Sequence, residues 1–370
     1  MKSLLSLFLS ISLLASPTNL TGLSQAIAAL FNMKEIINTD YIGEVSMQTW
    51  DENTPFSLDD CVTLTKKDGE DFVILNITDT HFSDYDYRAF FAFESTHNIK
   101  RLVNKVKPDL ITVSGDIVCA DSTVYSIKRI TDLFDSFGIP WAPAFGNHDD
   151  EGNADLNYLA DVMMSSEYCV MQKGDPEMGV GNYIINIQEE GSGEIVETVF
   201  MMDTHRSHLN EKQIKWFESC ASSINALTSN SSEISVIFHI PNVQYQYAFD
   251  VAWDEDAGEW KPGSDAYGEK NEKICCERDG NGNPKENGFF AAAKNVGAKF
   301  VFCGHEHMNN FSVEYEGIRL TYTLKIGYGS GFQFGFNGGT VINVGEDGIN
   351  RITHKTLTYG FIQDIVDVEC

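Results

Sequence analysis

Five short strings of polar residues stand in a fixed order along the chain, and each contains a side chain that binds divalent cations. They are Asp-Thr-His at 79–81, Gly-Asp at 115–116, Gly-Asn-His-Asp at 146–149, His at 239 and Gly-His-Glu-His at 304–307. Aspartate, histidine and asparagine are the residue types needed to hold two such ions close together. Five of the nine histidines fall inside these strings, so the group predicts a dinuclear metal site.

A single histidine at the end of a strand is more often a satisfied turn or core residue than a ligand, and that interpretation suits His239 taken alone. It does not explain the group, because core histidines have no reason to accompany Asp79, Asp116 and Asn147. One carboxylate that bridges two ions explains all of them together.

The elements that must position these residues can be read from the apolar runs before them. The runs are rich in β-branched residues and cover residues 72–77, 110–113, 141–145, 234–238 and 298–303. Such runs predict buried strands. Helices are expected at 89–106, 126–137, 210–224 and 288–296. This alternation predicts an α/β fold with the ligands at the carboxyl ends of the strands.

The order Asp-x-His, Gly-Asp, Gly-Asn-His-Asp, His and Gly-His-x-His resembles the motif set of the calcineurin-like metallophosphoesterase superfamily. The resemblance extends from about residue 72 to the C-terminal region. It implies two facing mixed β-sheets flanked by helices, in a four-layer sandwich. The residues around the third and fifth strings are similar to those of the purple-acid-phosphatase-like branch.

The same resemblance implies a role for each motif residue. The ligands of the first metal would be Asp79, His81 and His307. Those of the second metal would be Asn147, His239 and His305, with Asp116 bridging both ions. The cofactors implied are two divalent or trivalent ions, with iron, zinc and manganese as candidates.

His148 matches the histidine with which the family faces phosphate without binding metal. It would donate a proton or a hydrogen bond to the leaving oxygen, and Asn147 would also contact the substrate. The aspartate that orients this histidine in the Ser/Thr phosphatases is replaced by Cys119. Asp149 and Asp121 are the alternatives for that role.

The second motif also lacks two residues that the better-known branches of the superfamily use, one to bind iron and one to bind phosphate. Purple acid phosphatases carry an iron-binding tyrosine at the position of Cys119, so no tyrosinate-to-iron colour is expected here. The phosphate-clamping arginine of the Ser/Thr phosphatases is also missing from this motif. Arg206, after a strand-like run at 198–202, is a candidate for bidentate contact with phosphate.

These features predict a hydrolase for phosphate monoesters that works by attack of a metal-bound hydroxide. A bound divalent ion lowers the pKa of its water from about 15.7 to about 7, which makes hydroxide available at neutral pH. Two alternatives stay open. One is a phosphodiesterase acting on small nucleotides or lipid head groups, and the other is a non-catalytic binding protein on the same scaffold.

The first residues of the chain predict a secretory signal peptide. A basic start precedes an apolar run at 4–15 and small residues, and we place the peptide within residues 1–28. The run is shorter than the roughly 20 residues that span a bilayer, although an uncleaved anchor is the alternative. Eight cysteines and a sequon at Asn230 fit a secreted or lumenal glycoprotein.

The remaining organisation is predicted as one large unit. Residues 29–66 would pack on a catalytic domain at 67–370, which contains a loop insertion at 249–285. The insertion is either a lid or a surface loop pinned by Cys275 and Cys276. A formal charge of −28 argues against a nucleic-acid polymer as partner, so a small phosphorylated substrate is expected, with no stable membrane span and the oligomeric state open.

Overall fold

A computed structural model describes residues 47, 49–83, 88–119, 124–152, 154–276, 284–329, 331, 333, 335–358 and 361–370. The predicted signal peptide lies outside the described residues, and so does the N-terminal segment up to residue 46. Within the described part of the chain, no helix has both the length and the apolar character that crossing a membrane requires.

Strands and helices alternate along the chain. The described strands are β1 (Val62–Lys66), β2 (Phe72–Ile77), β3 (Leu110–Ser114), β4 (Trp141–Ala144), β5 (Tyr183–Glu189), β6 (Ile195–Met201), β7 (Glu233–Ile237), β8 (Trp253–Asp254), β9 (Glu259–Trp260), β10 (Ala266–Tyr267), β11 (Phe300–Cys303), β12 (Ser312–Tyr315), β13 (Ile318–Tyr322), β14 (Gly338–Gly345), β15 (Gly348–Thr358) and β16 (Phe361–Glu369). The described α-helices are α1 (Arg88–Val106), α2 (Val124–Asp135), α3 (Leu156–Met164), α4 (Glu211–Leu227), α5 (Gln244–Ala252) and α6 (Phe289–Asn295).

The strands form two large mixed sheets and one small hairpin. The larger sheet has the order β1-β5-β6-β7-β11-β13-β12-β10, and the smaller has the order β16-β15-β14-β2-β3-β4. Strands β2, β3 and β4 run parallel, and so do β7 and β11. The pairs β14–β15 and β15–β16 are antiparallel, so both kinds of pairing occur. This confirms the predicted fold class.

The central strands are buried along nearly their whole length because both faces of each sheet are covered. All five residues of β3 are buried, for example. The predicted strand at 72–77 coincides with β2, and the other four motif strands agree with β3, β4, β7 and β11 within two residues at each end. Apolar runs of this length therefore located the strands correctly.

Alternation along the strands separates two hydrophobic cores. On β6, Val199 and Met201 belong to the core between the two sheets, whereas Phe200 belongs to the core beneath helices α4, α5 and α6. Residues of α1, α2 and α3 join the first core with the smaller sheet. The result is the predicted order of helices, sheet, sheet and helices.

Helices α3 and α5 were not expected from the sequence. Helix α3 is only nine residues long, and it begins where the side chain of Asp155 accepts a hydrogen bond from the backbone N–H of Tyr158. Helix α5 extends to Ala252, and its Phe249 is buried. The first residues of the predicted insertion, 249–252, therefore lie in a helix.

The inserted stretch after Ala252 is partly ordered in strands. Strands β8 and β9 form a hairpin, and β10 pairs with β12 at the edge of the larger sheet. Within this stretch Cys276 is buried, and the thiol of Cys275 donates a hydrogen bond to the backbone carbonyl of Lys273 over 3.6 Å. Backbone pairing and packing hold its described part in place.

The topology brings the five motif strings to one end of the two sheets. The first three follow the neighbouring parallel strands β2, β3 and β4 of the smaller sheet. The last two follow β7 and β11, which are neighbouring parallel strands of the larger sheet. Since the carboxyl ends of parallel strands share an edge, each sheet contributes part of a single site.

Candidate metal centre

Two clusters of ionisable side chains lie at this end of the molecule. The first contains Asp79, His81 and His307, and the second contains Asp116, His239 and His305. Within each cluster the potential ligand atoms lie within 4.8 Å of one another. These are the six aspartates and histidines that the sequence assigned to metal binding.

The first cluster is organised around one carboxylate oxygen. Oδ1 of Asp79 lies 3.5 Å from Nε2 of His81 and 3.3 Å from Nε2 of His307. The two Nε2 atoms are 3.1 Å apart. Three potential donors of electron pairs thus point at one small volume, which suits a cation at their centre.

The second cluster is joined to the first through Asp116. Its Oδ2 lies 3.2 Å from Nε2 of His239 and 3.6 Å from Nε2 of His81. The rings of His239 and His305 pack edge to face, with centroids 5.2 Å apart. Asp116 therefore lies between the histidines of the two clusters.

Several buried polar atoms of the site have no hydrogen-bond partner among the described residues. They are Oδ1 of Asp79, Nδ1 of His81, Oδ2 of Asp116, Oδ1 of Asn147 and Nε2 of His239. A buried polar atom without a hydrogen bond costs about 1–3 kcal/mol, so these atoms favour a further partner in the site. Oxygen and imidazole donors fit divalent cations, and Oδ1 of Asp79, Oδ2 of Asp116 and Nε2 of His239 face the clusters where such cations would bind. Nδ1 of His81 does not, because it is Nε2 of this ring that faces Asp79 and Asp116.

In two of the clustered histidines, the ring nitrogen Nδ1 lies within hydrogen-bond distance of a backbone carbonyl. Nδ1 of His239 lies 2.8 Å from the carbonyl oxygen of Ser114, and Nδ1 of His307 lies 3.1 Å from that of Gly331. A histidine that donates Nδ1–H to a carbonyl keeps its Nε2 lone pair free for a metal. This arrangement selects the nitrogen that faces the cluster.

Four of the six clustered residues have left-handed backbone conformations. Their φ angles are 53° for Asp79, 42° for His81, 49° for Asp116 and 73° for His305. Such conformations are uncommon for residues other than glycine and concentrate at functional sites. Gly115, also left-handed at 90°, lies so close to the ring of His239 that a Cβ would approach it to 2.5 Å.

The electrostatics of the two clusters are dominated by their carboxylates. Burial alone would lower the pKa of His239, yet the charges of Asp116 and Asp79 raise it to about 10. Burial lowers the pKa of His81 and of His305 to about 4. The carboxylates are thus ready to accept positive charge, and His239 holds a proton that a bound cation would replace.

Lys325 is a buried charge beside the site that the sequence analysis missed. Its Nζ donates a hydrogen bond to the backbone carbonyl of Asp79 over 3.0 Å. Burial lowers the pKa of this lysine to about 8. The hydrogen bond supports the left-handed turn that presents Asp79 to the first cluster. No motif marks this lysine, because it lies 18 residues after His307 and approaches the site only in the fold.

His148 lies beside the clusters and is more exposed than the ligand histidines. Its backbone N–H donates to Oδ1 of Asp116, and its ring lies 5.3 Å from that of His81. Its Nδ1 lies 2.7 Å from Oε2 of Glu151. Glu151 is therefore the carboxylate that can orient His148.

Neither of the two expected partners is seen to orient His148. Asp149 is buried and accepts hydrogen bonds from the backbone N–H groups of Val118 and Gly146, so its carboxylate joins two motif loops instead. Asp121 lies outside the described residues. The spacing of His148 and Glu151, three residues apart in one turn, was the available signal for this pair.

Arg206 lies near the loop that contains His148, but its guanidinium is already paired with a carboxylate. Its guanidinium makes a two-point contact with the carboxylate of Asp150, at 2.6 and 3.3 Å. That contact uses the nitrogens with which it would grip phosphate. The role of Arg206 in substrate binding stays a prediction.

Two cysteines close to the motif strings have structural positions. The thiol of Cys119 donates a hydrogen bond to the backbone carbonyl of His81 over 3.6 Å. Cys303 is buried at the end of β11, where burial raises its pKa well above the usual range. A thiol with a raised pKa is a poor nucleophile, so Cys303 is not a candidate nucleophile.

Comparison with known proteins gives one family match and several distant relatives. The family described as calcineurin-like phosphoesterase matches residues 72–309, which is more than half of the chain. The chain is 23% identical over 308 residues to "Probable inactive purple acid phosphatase 28" of Arabidopsis thaliana, covering 71% of the chain and 72% of the relative. It is 26% identical over 236 residues to "Phosphatase DCR2" of Saccharomyces cerevisiae, covering 58% of the chain and 38% of the relative.

Among solved structures, the chain is similar to the purple acid phosphatase PPD1 from seeds of yellow lupin, Lupinus luteus. The sequence identity is 8% and the TM-score is 0.45. The similarity covers 81% of this chain and 54% of the lupin chain.

Proposed function

The chain belongs to the calcineurin-like phosphoesterase family, and on this basis we propose that it hydrolyses phosphate monoesters with two bound metal ions. The proposed ligands are Asp79, His81 and His307 for one ion, Asn147, His239 and His305 for the other, and Asp116 for both. The observation that carries the proposal is the convergence of six aspartate and histidine side chains in two clusters that Asp116 joins.

The protein's own residues provide the rest of the chemistry. Two bound cations would supply an activated water and neutralise charge on the phosphate. His148 would give a proton to the leaving oxygen through Nε2, because its Nδ1 faces Glu151. Asn147 would present its side chain to the phosphate. His148 and His305 lie where the site meets solvent, so substrate would enter on their side.

Activity on monoesters is favoured by the relatives and by the intact site. The yeast relative is named a phosphatase, and the plant relatives are named purple acid phosphatases. Those plant proteins are also named probably inactive. In this chain every predicted ligand is present and the six charged or imidazole ligands converge, which supports an active enzyme.

The proposal extends to the compartment and the domain organisation. A signal peptide within residues 1–28 would direct the chain into the secretory pathway, and residues 67–370 would form the catalytic domain. Residues 29–66 would pack on it, and the contacts of two aromatic residues support this. Trp50 and Phe56 contact the core beneath helices α4, α5 and α6.

The direct test compares 4-nitrophenyl phosphate with bis(4-nitrophenyl) phosphate, using protein whose metal content has been measured. We expect about two metal ions per chain, faster hydrolysis of the monoester, and complete loss of activity on chelation. Faster hydrolysis of the diester would favour the phosphodiesterase alternative. Full metal content without turnover of either ester would favour a binding protein, and an active preparation with only trace metal would refute the proposed centre.

The absorption spectrum provides a second prediction. Protein loaded with ferric iron should show no strong tyrosinate charge-transfer band in the visible range. The reason is that Cys119, whose thiol faces the carbonyl of His81, stands where the coloured enzymes place their tyrosine. A strong band that disappears when a tyrosine, for example Tyr322, is replaced by phenylalanine would contradict this.

A further inference from the structure

The last ligand loop, residues 304–310, is covered on one side by residues 268–276 of the inserted stretch, which are defined here as the clamp segment. Three residues of the loop besides its histidines have buried side chains: Glu306, Asn309 and Asn310. Each of the three accepts a hydrogen bond from a backbone N–H group of the clamp segment. The loop is thus built to receive this segment.

Two asparagines form the first part of the contact. Oδ1 of Asn310 accepts from the N–H of Glu269 over 2.6 Å, and the N–H of Asn310 donates back to the carbonyl of Glu269. Oδ1 of Asn309 accepts from the N–H groups of both Asn271 and Glu272, at 2.9 and 3.0 Å. A side chain that satisfies two neighbouring backbone donors fixes the path of the segment.

The second part of the contact reaches the metal ligands themselves. Oε1 of Glu272 accepts from the backbone N–H of His307 over 2.8 Å. Glu306, between the two ligand histidines, accepts from the N–H of Cys275 through Oε1 and from the hydroxyl of Tyr322 through Oε2. The clamp segment therefore touches the backbone of one ligand and the residue between both.

The clamp segment is itself anchored at each end of its described part. Before it, Ala266 and Tyr267 pair with β12. Within it, Ile274 and Cys276 are buried in the core beneath helices α4, α5 and α6. A segment held in this way can transmit the rigidity of the core to the loop that it contacts.

We infer that the clamp segment sets the position of His305 and His307, and that Glu272 and Asn309 are positioning residues for the metal pair. The inference rests on the proposed metal site. Its physical basis is that outer partners of metal ligands hold them in binding geometry, and that losing such a partner costs roughly 10–100-fold in metal affinity. For residues 268–276, this inference favours a segment that stays in place over the alternative of a lid.

The test is a zinc titration of metal-free protein in competition with a chelating dye. Glu272→Ala and Asn309→Ala should each weaken zinc binding by roughly 10–100-fold. Glu272→Gln should bind nearly as well as the unchanged protein, because its amide oxygen still accepts from the N–H of His307. Glu269→Ala is the matched control, since it removes one carboxylate from the same segment without removing a contact to the loop.

The outcomes separate this inference from the function on which it rests. If the unchanged protein binds no zinc, the proposed metal site fails. If it binds zinc and Glu272→Ala binds as tightly as Glu269→Ala, the positioning role is refuted while the metal site stands. A Glu272→Gln variant as weak as Glu272→Ala would also refute it, because charge rather than the hydrogen bond would then be responsible. Should Asn309→Ala fail to fold, the half-buried Glu272 decides the question alone.

Discussion

Replacing Asp116 with asparagine is expected to remove most of the bound metal and to abolish hydrolysis of phosphate esters. Oδ2 of Asp116 lies near histidines of both clusters, 3.2 Å from Nε2 of His239 and 3.6 Å from Nε2 of His81. An amide at this position has the same shape but no charge to offset two cations. The loss of metal affinity should exceed the roughly 10–100-fold typical of residues behind the ligands.

The measurement is the metal content of Asp116→Asn after dialysis, together with its rate on 4-nitrophenyl phosphate. Asp150→Asn is the matched control, because its carboxylate is near the site but bonded to the exposed Arg206. The control should keep its metal. Retention of two metals by Asp116→Asn would show that Asp116 is not a bridging ligand.

The parts of this fold that could be predicted are those that depend on local sequence. Buried parallel strands need continuous apolar runs, so residues 72–77 and 110–113 identified β2 and β3. Ligand histidines and aspartates follow such strands directly, so one pattern marks both the strand and its ligand. Convergence of Asp79 and His307, 228 residues apart, could be expected only from the resemblance to a family.

The parts that could not be predicted depend on contacts between distant segments. Lys325 lies in no motif, and its contact with Asp79 exists only because the chain after β13 returns beside β2. Residues 268–276 have no periodicity, because their order comes from Glu306, Asn309 and Asn310 rather than from their own packing pattern. The resemblance to phosphatases predicts an aspartate as the partner of His148, whereas the residue that contacts its Nδ1 is Glu151, three positions later in the sequence.

Replacing His148 with alanine is expected to leave both metals in place and to slow the reaction by roughly 10²–10⁴-fold, as for a lost general acid. The loss should be large for alkyl phosphates, whose leaving oxygen needs a proton. It should be smaller for 4-nitrophenyl phosphate, because nitrophenolate leaves without one. The measurement is kcat for both substrates beside the metal content.

Glu151→Gln tests whether the orientation of His148 matters for that step. With only the amide facing Nδ1 of His148, the imidazole is held less firmly, and the loss of rate should follow the same dependence on the leaving group. In protein that already carries His148→Ala, adding Glu151→Gln should cost nothing further, since the two residues act as one unit. Additive losses would show that Glu151 acts elsewhere. Loss of metal in His148→Ala, or equal slowing of both substrates, would make His148 a ligand or a phosphate-positioning residue rather than the acid.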